Sequence, residues 1–536
     1  MVVLSQYFPI HINAQIDTAW VKTWESGLWD DARALTIDSD NNIYLAGWNY
    51  EWGVNYDFVF IKYNENGDLL WSQTKDFASG DQASHIMIGP DGYLYVAGFV
   101  LGSYSVTGGF MCIMKYTLAG DSVWTFVDNN FSLTQISEMA FDNSGNIILA
   151  GFSGATLGNA DYLTMKIDPD GNQLWYQTFN NNGPNQANRI NGMCIDVLDN
   201  IYVTGSCDDS TFHSNVVTIK YSPDGESLWL RTFNAPSNDY DLGDKILLDP
   251  NGDLIIGGRI NTSGPAQTDY MLLKYDTAGN LLWDKYFNYP GPQSFDIFKD
   301  MQLDELGNIY MVGNSSTNNA QNTIRVETIK FNNDGDTVWT ARWGTGSDFQ
   351  PQQMVLDELN NIYITGYYYD ANGGTGYNAF AIKYDSLGSL KWETTYHDLS
   401  NQEEEFNALA LDENNDLIVT GRKHSETNFD FVTIKYRNGI SGIPIIEKGN
   451  PNLQISCYPN PFSHSAFVNY YLPENSDAKI GVFDLLGKEV VVLASGKLQA
   501  GNHTLHFKAD GLKAGIYFCR METVNKIVQV KIVLIE

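Results

Sequence analysis

Residues 34–71 read ALTIDSDNNIYLAGWNYEWGVNYDFVFIKYNENGDLLW, and this stretch decides the fold. Four short segments, ALTI, IYLAG, DFVFIKY and LLW, are rich in apolar, β-branched and aromatic residues. The segments between them are rich in Asp, Asn and Gly, which favour turns. The stretch therefore predicts four short strands joined by turns.

The same pattern recurs eight times, with a period of about 53 residues. Each repeat carries the motif Ile-Tyr-x-x-Gly or a close variant, whose glycines are Gly47, Gly98, Gly151, Gly205, Gly258, Gly313, Gly366 and Gly421. A lysine of an IKY-type strand follows in every repeat, at Lys62, Lys115, Lys166, Lys220, Lys274, Lys330, Lys383 and Lys435. Four strands per repeat at this period are typical of propeller blades, whose sheets stack around a common axis.

The two ends of the repeat array indicate how the ring closes. Seven repeats end in a strand with a tryptophan, from Trp71 to Trp392, whereas the eighth repeat lacks this strand after Tyr436. A strand of the missing type surrounds Trp20 at the N-terminus. We therefore predict an all-β protein in which residues 15–437 form an eight-bladed propeller of four-stranded blades, with the last blade completed by the N-terminal strand.

Charge separates a C-terminal region from the repeats. The chain has a net charge of -32, with 32 basic and 64 acidic residues, which disfavours binding to nucleic acid and to anionic lipid. Residues 451–536 hold eight basic and seven acidic residues, so this region is +1 and the remainder is -33.

Alternating apolar residues in FVNYYL, KIGVFDL, HTLHF and IYFCRM predict a small β-sandwich at residues 453–536. Residues 438–452, rich in Gly, Pro and Asn, are the predicted linker.

The remaining segments and residue counts exclude several classes of protein. Residues 1–14 are apolar and end in a small residue, and we interpret them as the remnant of a signal peptide. The sequence contains no run of 18 apolar residues, so it does not predict a membrane-spanning helix. Five scattered cysteines give neither a disulfide framework nor a zinc site. We expect a monomer without a cofactor; the acidic turns, such as Asp38–Asn42, offer structural calcium as an alternative.

Polar residues precede the inner strand of every repeat and are predicted to surround one mouth of the central channel. Propellers bind ligands where loops and strand ends from all blades converge. The candidate ligand-binding residues there are Arg33, His85, Glu138, Lys245 and Asp300. The alternative is that these residues only meet solvent, as strand ends commonly do.

Aromatic residues after the second strands form a second candidate surface. Trp48, Trp52, Tyr367 and Tyr369 are predicted to lie in exposed loops, where they would stack on sugar rings. Packing within the loops is the alternative. The recurring IKY lysines are expected at the strand surface, and no sequence motif of a known catalytic site is found.

Two known families resemble parts of this chain. The unit D-x-x-x-N-x-Y-x-x-G, D-F/Y-x-x-x-K-Y, G-x-x-x-W resembles the bacterial SBBP-type β-propeller repeat, whose name implies seven blades rather than the eight counted here. Residues 453–536 resemble the type A C-terminal sorting domain of the type IX secretion system of Bacteroidota, through YPNPF (458–462), VFDLLGKEV (482–490), LQAGNHTL (498–505) and LKAGIYFCRM (512–521). This resemblance implies transit through the periplasm, contact with the secretion machinery, and release or surface attachment.

We interpret the protein as a non-enzymatic, secreted or outer-membrane-surface module that binds a glycan or a protein. A secreted enzyme is the first alternative, as a hydrolase or lyase, or as a quinoprotein dehydrogenase, whose blades carry a similar tryptophan. The vicinal cysteine pair of that last family is missing. A display scaffold without a ligand is the second alternative.

Overall fold

The computed structural model describes most of the chain. The described residues are 16–51, 55–77, 80–101, 109–128, 130–131, 133–156, 159–180, 187–208, 213–235, 240–261, 268–288, 295–316, 324–345, 347–369, 376–396, 403–425, 428–438, 454–458, 465–483, 488–509, 511–513, 515–523 and 527–534. The predicted signal-peptide remnant, the linker from residue 439 onward and Trp52 lie outside them. Within these ranges the chain is all-β, and none of it forms a helix able to cross a membrane.

The chain divides into two compact units, of which the first contains Thr18–Asn438 and the second Gly439–Glu536. The first unit begins with β1 (Asp17–Trp24) and continues as consecutive groups of four antiparallel strands. The first four groups are β2 (Trp29–Ile37), β3 (Ile43–Tyr50), β4 (Tyr56–Tyr63), β5 (Leu69–Lys75); β6 (Asp81–Ile88), β7 (Leu94–Leu101), β8 (Gly109–Tyr116), β9 (Ser122–Val127); β10 (Leu133–Phe141), β11 (Ile147–Thr156), β12 (Asn159–Ile167), β13 (Gln173–Phe179); and β14 (Asn188–Ile195), β15 (Ile201–Asp208), β16 (Ser214–Tyr221), β17 (Ser227–Phe233).

The remaining repeats follow the same order. They are β18 (Leu242–Leu248), β19 (Leu254–Asn261), β20 (Thr268–Tyr275), β21 (Leu281–Phe287); β22 (Phe295–Leu303), β23 (Ile309–Ser316), β24 (Arg325–Phe331), β25 (Thr337–Trp343); β26 (Asp348–Leu356), β27 (Ile362–Tyr369), β28 (Tyr377–Tyr384), β29 (Leu390–Tyr396); and β30 (Glu404–Leu411), β31 (Leu417–His424), β32 (Phe429–Arg437). A single parallel bridge, Thr268 to Phe295, joins the fifth and sixth groups into one sheet.

The last repeat takes its fourth strand from the N-terminus. Its sheet has the strand order β1-β32-β31-β30, as the repeat pattern predicts. The first and last repeats also contact each other directly, because Asn407 Nδ2 donates to Asp31 Oδ1 at 2.9 Å. Ile418 and Phe431 of the last repeat share a buried cluster with residues of the first.

Tryptophans of the fourth strands connect neighbouring repeats. In six of them the indole Nε1 donates to a backbone carbonyl in a turn of the following repeat at 3.0–3.3 Å, the donors being Trp20, Trp71, Trp124, Trp175, Trp229 and Trp339. A glycine of the same turn lies under the ring. A Cβ on Gly171, for example, would lie 2.9 Å from the ring of Trp124. The G-x-x-x-W motif is therefore the contact that stacks one sheet on the next.

The recurring lysines are not at the strand surface, and that expectation is wrong. Each side chain is at most 14% exposed, and each Nζ lies 2.6–4.0 Å from a turn aspartate of its own repeat. The pairs are Lys62–Asp38, Lys115–Asp91, Lys166–Asp142, Lys220–Asp196, Lys274–Asp249, Lys330–Asp304, Lys383–Asp357 and Lys435–Asp412. The lysines turn inward because a buried carboxylate at the end of the hairpin needs a counter-charge.

The lysine–aspartate pairs bear on the hypothesis that the turns bind calcium. Asp142 Oδ1 accepts the backbone N–H groups of Ser144 and Asn146, and its Oδ2 lies 2.8 Å from Lys166 Nζ. Burial acts to raise the pKa of Asp142, but the Lys166 ammonium and Asn146 outweigh it and hold the pKa below its usual range. A calcium ion at such a turn would have to displace the ammonium group, so the turns fit calcium poorly.

The second unit contains two sheets. One sheet has the order β33-β34-β37, from β33 (Gln454–Tyr458), β34 (Ser465–Leu472) and β37 (Gly501–Lys508). The other has the order β36-β35-β38-β39, from β35 (Ser476–Phe483), β36 (Glu489–Leu498), β38 (Gly515–Thr523) and β39 (Ile527–Leu534). One buried cluster joins the two sheets and includes Val468, Ile480 and Cys519. This packing of two sheets around one core is a small β-sandwich.

Candidate functional site

The repeated glycine of each second strand shapes the inner strand beside it. A Cβ at any of the eight glycines would lie only 1.9–2.3 Å from a carbonyl oxygen of the inner strand, so only glycine fits. The inner strand is bulged at this point in every repeat. The residues left unpaired by the bulges are Arg33, Ser84, Ser137, Asn191, Asp244, Lys299, Gln352 and Asn407. A bulge redirects the side chain of the extra residue, and here it does so at the same position of every inner strand.

All eight bulge residues line one open cavity of about 450 Å³. The residues that follow the bulges, including His85, Glu138, Lys245 and Asp300, line it as well. The structure thus brings together in one cavity all five candidate residues that the sequence places at a channel mouth, Arg33 among them. Its wall carries both positive and negative side chains, together with the amides and hydroxyls of Asn, Gln and Ser.

Carboxylates and a lysine from three repeats lie close together in the wall. Lys245 Nζ forms an ion pair with Asp300 Oδ1, and Asp300 Oδ2 accepts the backbone N–H of Met354 at 2.8 Å. Asp300 therefore links the fifth, sixth and seventh repeats. Burial raises the pKa of Glu138 to about 7, with Lys245 lowering and Asp300 raising it. A carboxyl group that titrates near neutral pH in a cavity is a candidate proton donor or acceptor.

The other two candidates are held by neighbouring groups. His85 Nε2 lies 3.1 Å from the carbonyl oxygen of Ser137, which can only accept, so this nitrogen carries the proton. Its Nδ1 is 2.8 Å from Ser84 Oγ, and burial lowers the pKa of the ring. Arg33 is exposed and pairs with Asp31 at 2.7 Å. His85 therefore has a structural use between repeats, whereas Arg33 and Glu138 face the cavity.

Three of the aromatic candidates, those within the described residues, lie in strands and not in loops, so the prediction is wrong for them. Trp48 belongs to β3, and Tyr367 and Tyr369 belong to β27, because the second strands continue beyond their glycine. Trp48 packs against Tyr56 with ring centroids 5.0 Å apart, and Tyr367 packs against Tyr377 at 5.2 Å. Only Tyr369 of these three is exposed, at 40%.

The raised pKa of Glu138 predicts a pH-dependent stability. Since its pKa rises from 4.5 to about 7 on folding, its contribution is fully present below pH 4.5 and is lost as the pH rises through 7. Glu138→Gln removes this dependence. We expect the variant to be more stable than the wild type at pH 8, by up to about 3 kcal/mol. Chemical denaturation at pH 5 and pH 8 measures the difference.

A matched variant is Glu358→Gln, since Glu358 is exposed in a turn of the seventh repeat. We expect it to leave the stability unchanged at both pH values. An equal loss of stability for Glu138→Gln at pH 5 and pH 8 would show that the ionised Glu138 is favourably paired, contrary to the prediction.

Comparison with curated proteins and solved structures gives remote similarities. An uncharacterized WD repeat-containing protein of Acanthamoeba polyphaga mimivirus is 25% identical over 467 residues, which cover 75% of this chain and 30% of the relative. The chain thus spans less than a third of the length of that relative. PorZ, an essential surface component of the type-IX secretion system of Porphyromonas gingivalis, is 14% identical with a TM-score of 0.40, covering 93% of this chain and 68% of PorZ. An ulvan lyase is 12% identical with a TM-score of 0.41, covering 71% of this chain and 97% of the lyase.

The C-terminal region has a family match. Residues 456–536 match the model of the secretion system C-terminal sorting domain, which covers nearly all of the β-sandwich of the second unit. This confirms the expectation drawn from YPNPF and the segments after it. The domain implies contact with the type IX secretion machinery. The chain therefore carries a type IX secretion C-terminal sorting domain, and the protein is exported to the cell surface or the extracellular space.

Proposed function

We propose that the repeats form a closed, eight-bladed propeller of the SBBP type that binds a ligand at the cavity formed by the bulge residues. The observation that carries this proposal is the convergence of one polar bulge residue from every repeat on one cavity. Bulges aim these side chains inward even though packing does not require polar groups there. The β1–β32 pairing and the contact between Asn407 and Asp31 support closure of the ring.

The composition of the cavity wall favours a neutral, hydroxyl-rich ligand. Ser84, Asn191, Gln352 and similar side chains offer both donors and acceptors for hydroxyl groups. The repeats carry most of the net charge of the chain, which repels polyanions such as nucleic acids. A neutral glycan at the bacterial surface is therefore the preferred ligand class, and a protein is the alternative. The protein acts as a binding or adhesion module in this proposal.

A second candidate function rests on Glu138. With a pKa of about 7, its carboxyl group can donate or accept a proton at neutral pH, as the acid of a hydrolase or a lyase does. Glycosidases, however, pair two carboxyl groups across the scissile bond, and Asp300 is engaged by Lys245 and by a backbone N–H group. Binding without turnover therefore remains the first proposal.

The test uses the purified full chain on an array of polysaccharides and glycoproteins. We expect a neutral glycan to be retained and Asn191→Ala to weaken its binding about tenfold or more, since the variant lacks the amide that would pair with a hydroxyl group of the ligand. Glu138→Gln is expected to weaken binding to a smaller extent, since it replaces a carboxyl group by a neutral amide that still donates and accepts. Glu358→Gln is the matched control and should bind as the wild type does.

Three outcomes distinguish the alternatives. Binding that is unaffected by Asn191→Ala and Glu138→Gln would place the ligand elsewhere on the molecule. If the wild type shortens the bound glycan over time and Glu138→Gln forms no shortened products, the result would favour a hydrolase or lyase. No binding to any glycan or glycoprotein would contradict the glycan proposal and favour a scaffold without a ligand.

A further inference from the structure

Three aspartates from two neighbouring repeats meet at one junction, and none of the three lines the cavity. Asp57 lies in β4 and Asp76 follows β5, both in the first repeat, while Asp81 begins β6 of the second. One carboxylate oxygen of each aspartate lies within 4.8 Å of the corresponding oxygens of the other two. Oxygen ligands on opposite sides of a calcium ion are separated by about 5 Å. The three carboxylates are thus close enough to share one ion.

Asp81 is the buried member of this aspartate cluster. The residue is 0% exposed, and its Oδ2 accepts the backbone N–H of Phe77 at 2.6 Å. Its Oδ1 has no hydrogen-bond partner in the described part of the chain, although it is fully buried. A buried carboxylate oxygen without a partner is costly, and a bound cation satisfies it.

Burial and neighbouring carboxylates act together against the ionised forms of Asp57 and Asp81. Burial raises the pKa of Asp81 to about 7, and Asp76 and Asp57 raise it further. Burial, Asp76 and Glu51 also raise the pKa of Asp57. Among the described residues, neither Asp57 nor Asp81 has an ion pair, and the donor beside Asp57 is the neutral amide of Asn55, at 3.0 Å. An amide offers an oxygen as well as a nitrogen, so Asn55 can also serve as a ligand.

Equivalent positions at other junctions provide an internal comparison. Between the third and fourth repeats these positions hold Asp161, Asn180 and Asn188, and Asn180 Nδ2 donates to Asp161 Oδ1 at 2.7 Å. Between the sixth and seventh repeats the first position is Arg325. Amides thus replace the second and third carboxylates at the former junction, and an arginine replaces the first carboxylate at the latter.

The junction between the last and first repeats also carries three acidic residues, Asp430, Glu25 and Asp30, but it supplies donors. Ser26 gives Asp30 a backbone N–H at 2.8 Å and a hydroxyl at 2.7 Å. Burial and Glu25 raise the pKa of Asp430, and Lys423 and a hydrogen bond from Ser425 act to lower it. Asp430 Oδ1 is also buried without a hydrogen-bond partner. The cluster of Asp57, Asp76 and Asp81 differs because, among the described residues, it alone brings carboxylate oxygens of three acidic residues within 4.8 Å of one another.

We propose that Asp57, Asp76 and Asp81 bind a calcium ion that connects the first and second repeats. Carboxylate oxygens, with an amide oxygen and water completing the shell, are the ligands of hard divalent cations. Calcium accepts irregular arrangements of six to eight oxygens, whereas magnesium requires a near-ideal octahedron. Calcium modules of extracellular proteins bind with a Kd on the order of 10⁻⁴–10⁻³ M, which suits an exported protein.

The experiment measures calcium binding to the full chain after removal of metals with a chelator. Calorimetric titration with CaCl₂ is expected to give a Kd on the order of 10⁻⁴–10⁻³ M. The Tm is expected to rise by a few degrees in 10 mM CaCl₂ and less in 10 mM MgCl₂. Asp81→Asn is expected to lose the calcium-dependent rise.

The chelated protein distinguishes a metal site from a structural role. Without calcium, Asp81→Asn is expected to have the Tm of the wild type or a higher one, since the substitution removes a repelling charge. If Asp81 had only a structural role, Asp81→Asn would instead lower the Tm by the same amount with and without calcium. Asp57→Asn repeats the test at a half-buried position, should Asp81→Asn fail to fold. Asp161→Asn, at the equivalent position of the third repeat, is the matched control and should keep the calcium response.

Two results would overturn the proposal. One is a wild-type chain whose Tm and heat of titration do not respond to millimolar calcium. The other is a calcium response that persists in both Asp81→Asn and Asp57→Asn, since the ion would then bind elsewhere, for example at a turn such as Asp38–Asn42.

Discussion

Deletion of β1, residues Asp17–Trp24, is expected to lower the Tm of the repeat unit by at least about 5 °C. The strand completes the sheet of the last repeat, and Trp20 donates its indole N–H to the Glu65 carbonyl of the first repeat at 3.1 Å. Trp24 packs against Phe431 with ring centroids 5.5 Å apart. Loss of one such tryptophan typically costs 3–5 kcal/mol, so loss of the strand costs on the order of 5 kcal/mol or more. Differential scanning calorimetry of the full chain measures the change.

A permuted chain is the control for this deletion. Residues Asp17–Trp24 are moved to follow Asn438, joined through a turn like Asn64–Asp68, so that the last repeat has the same strand order as the first. We expect the permuted chain to regain most of the lost Tm, since the same pairing with β32 forms. An unchanged Tm after the deletion would contradict the role of β1 in holding the first and last repeats together.

The sequence was sufficient to predict the strand order and the position of the cavity. The spacing of the repeated glycines places Ser137 and its equivalents at one level of the inner strands, and the structure places them around one cavity. The completion of the last sheet by the strand of Trp20 was also predictable, because the repeat array has an unmatched strand at each end.

Contacts that depend on three-dimensional packing were not predictable in this way. The pairing of Lys62 with Asp38 joins β4 to the turn between β2 and β3, and sequence alternation gives no distance between these two elements. The strand positions of Trp48 and Tyr367 depend on pairing beyond the glycine, which composition alone does not show. The cluster of Asp57, Asp76 and Asp81 forms between repeats, so it follows from how two sheets stack rather than from either sheet.

Gly151→Ala is expected to destabilise the repeat unit by about 3 kcal/mol, or about 3–4 °C in Tm. A Cβ at Gly151 would lie 1.9 Å from the carbonyl oxygen of Gln135 and 3.1 Å from the backbone nitrogen of Ser137. Both atoms belong to the backbone, so no side-chain rotation relieves the overlap, and the bulge at Ser137 must open. Thermal and chemical denaturation of the full chain measure the loss.

Gly92→Ala separates this overlap from the general cost of replacing glycine. Gly92 has a φ of 76°, and a Cβ there would meet nothing within 4 Å. Its replacement costs only backbone strain, about 1–2 kcal/mol. Similar losses for the two variants would contradict the argument that the repeated glycines are required by the bulge. A larger loss for Gly151→Ala, together with weaker ligand binding, would show that one glycine both permits the bulge and positions Ser137 and Glu138 in the cavity wall.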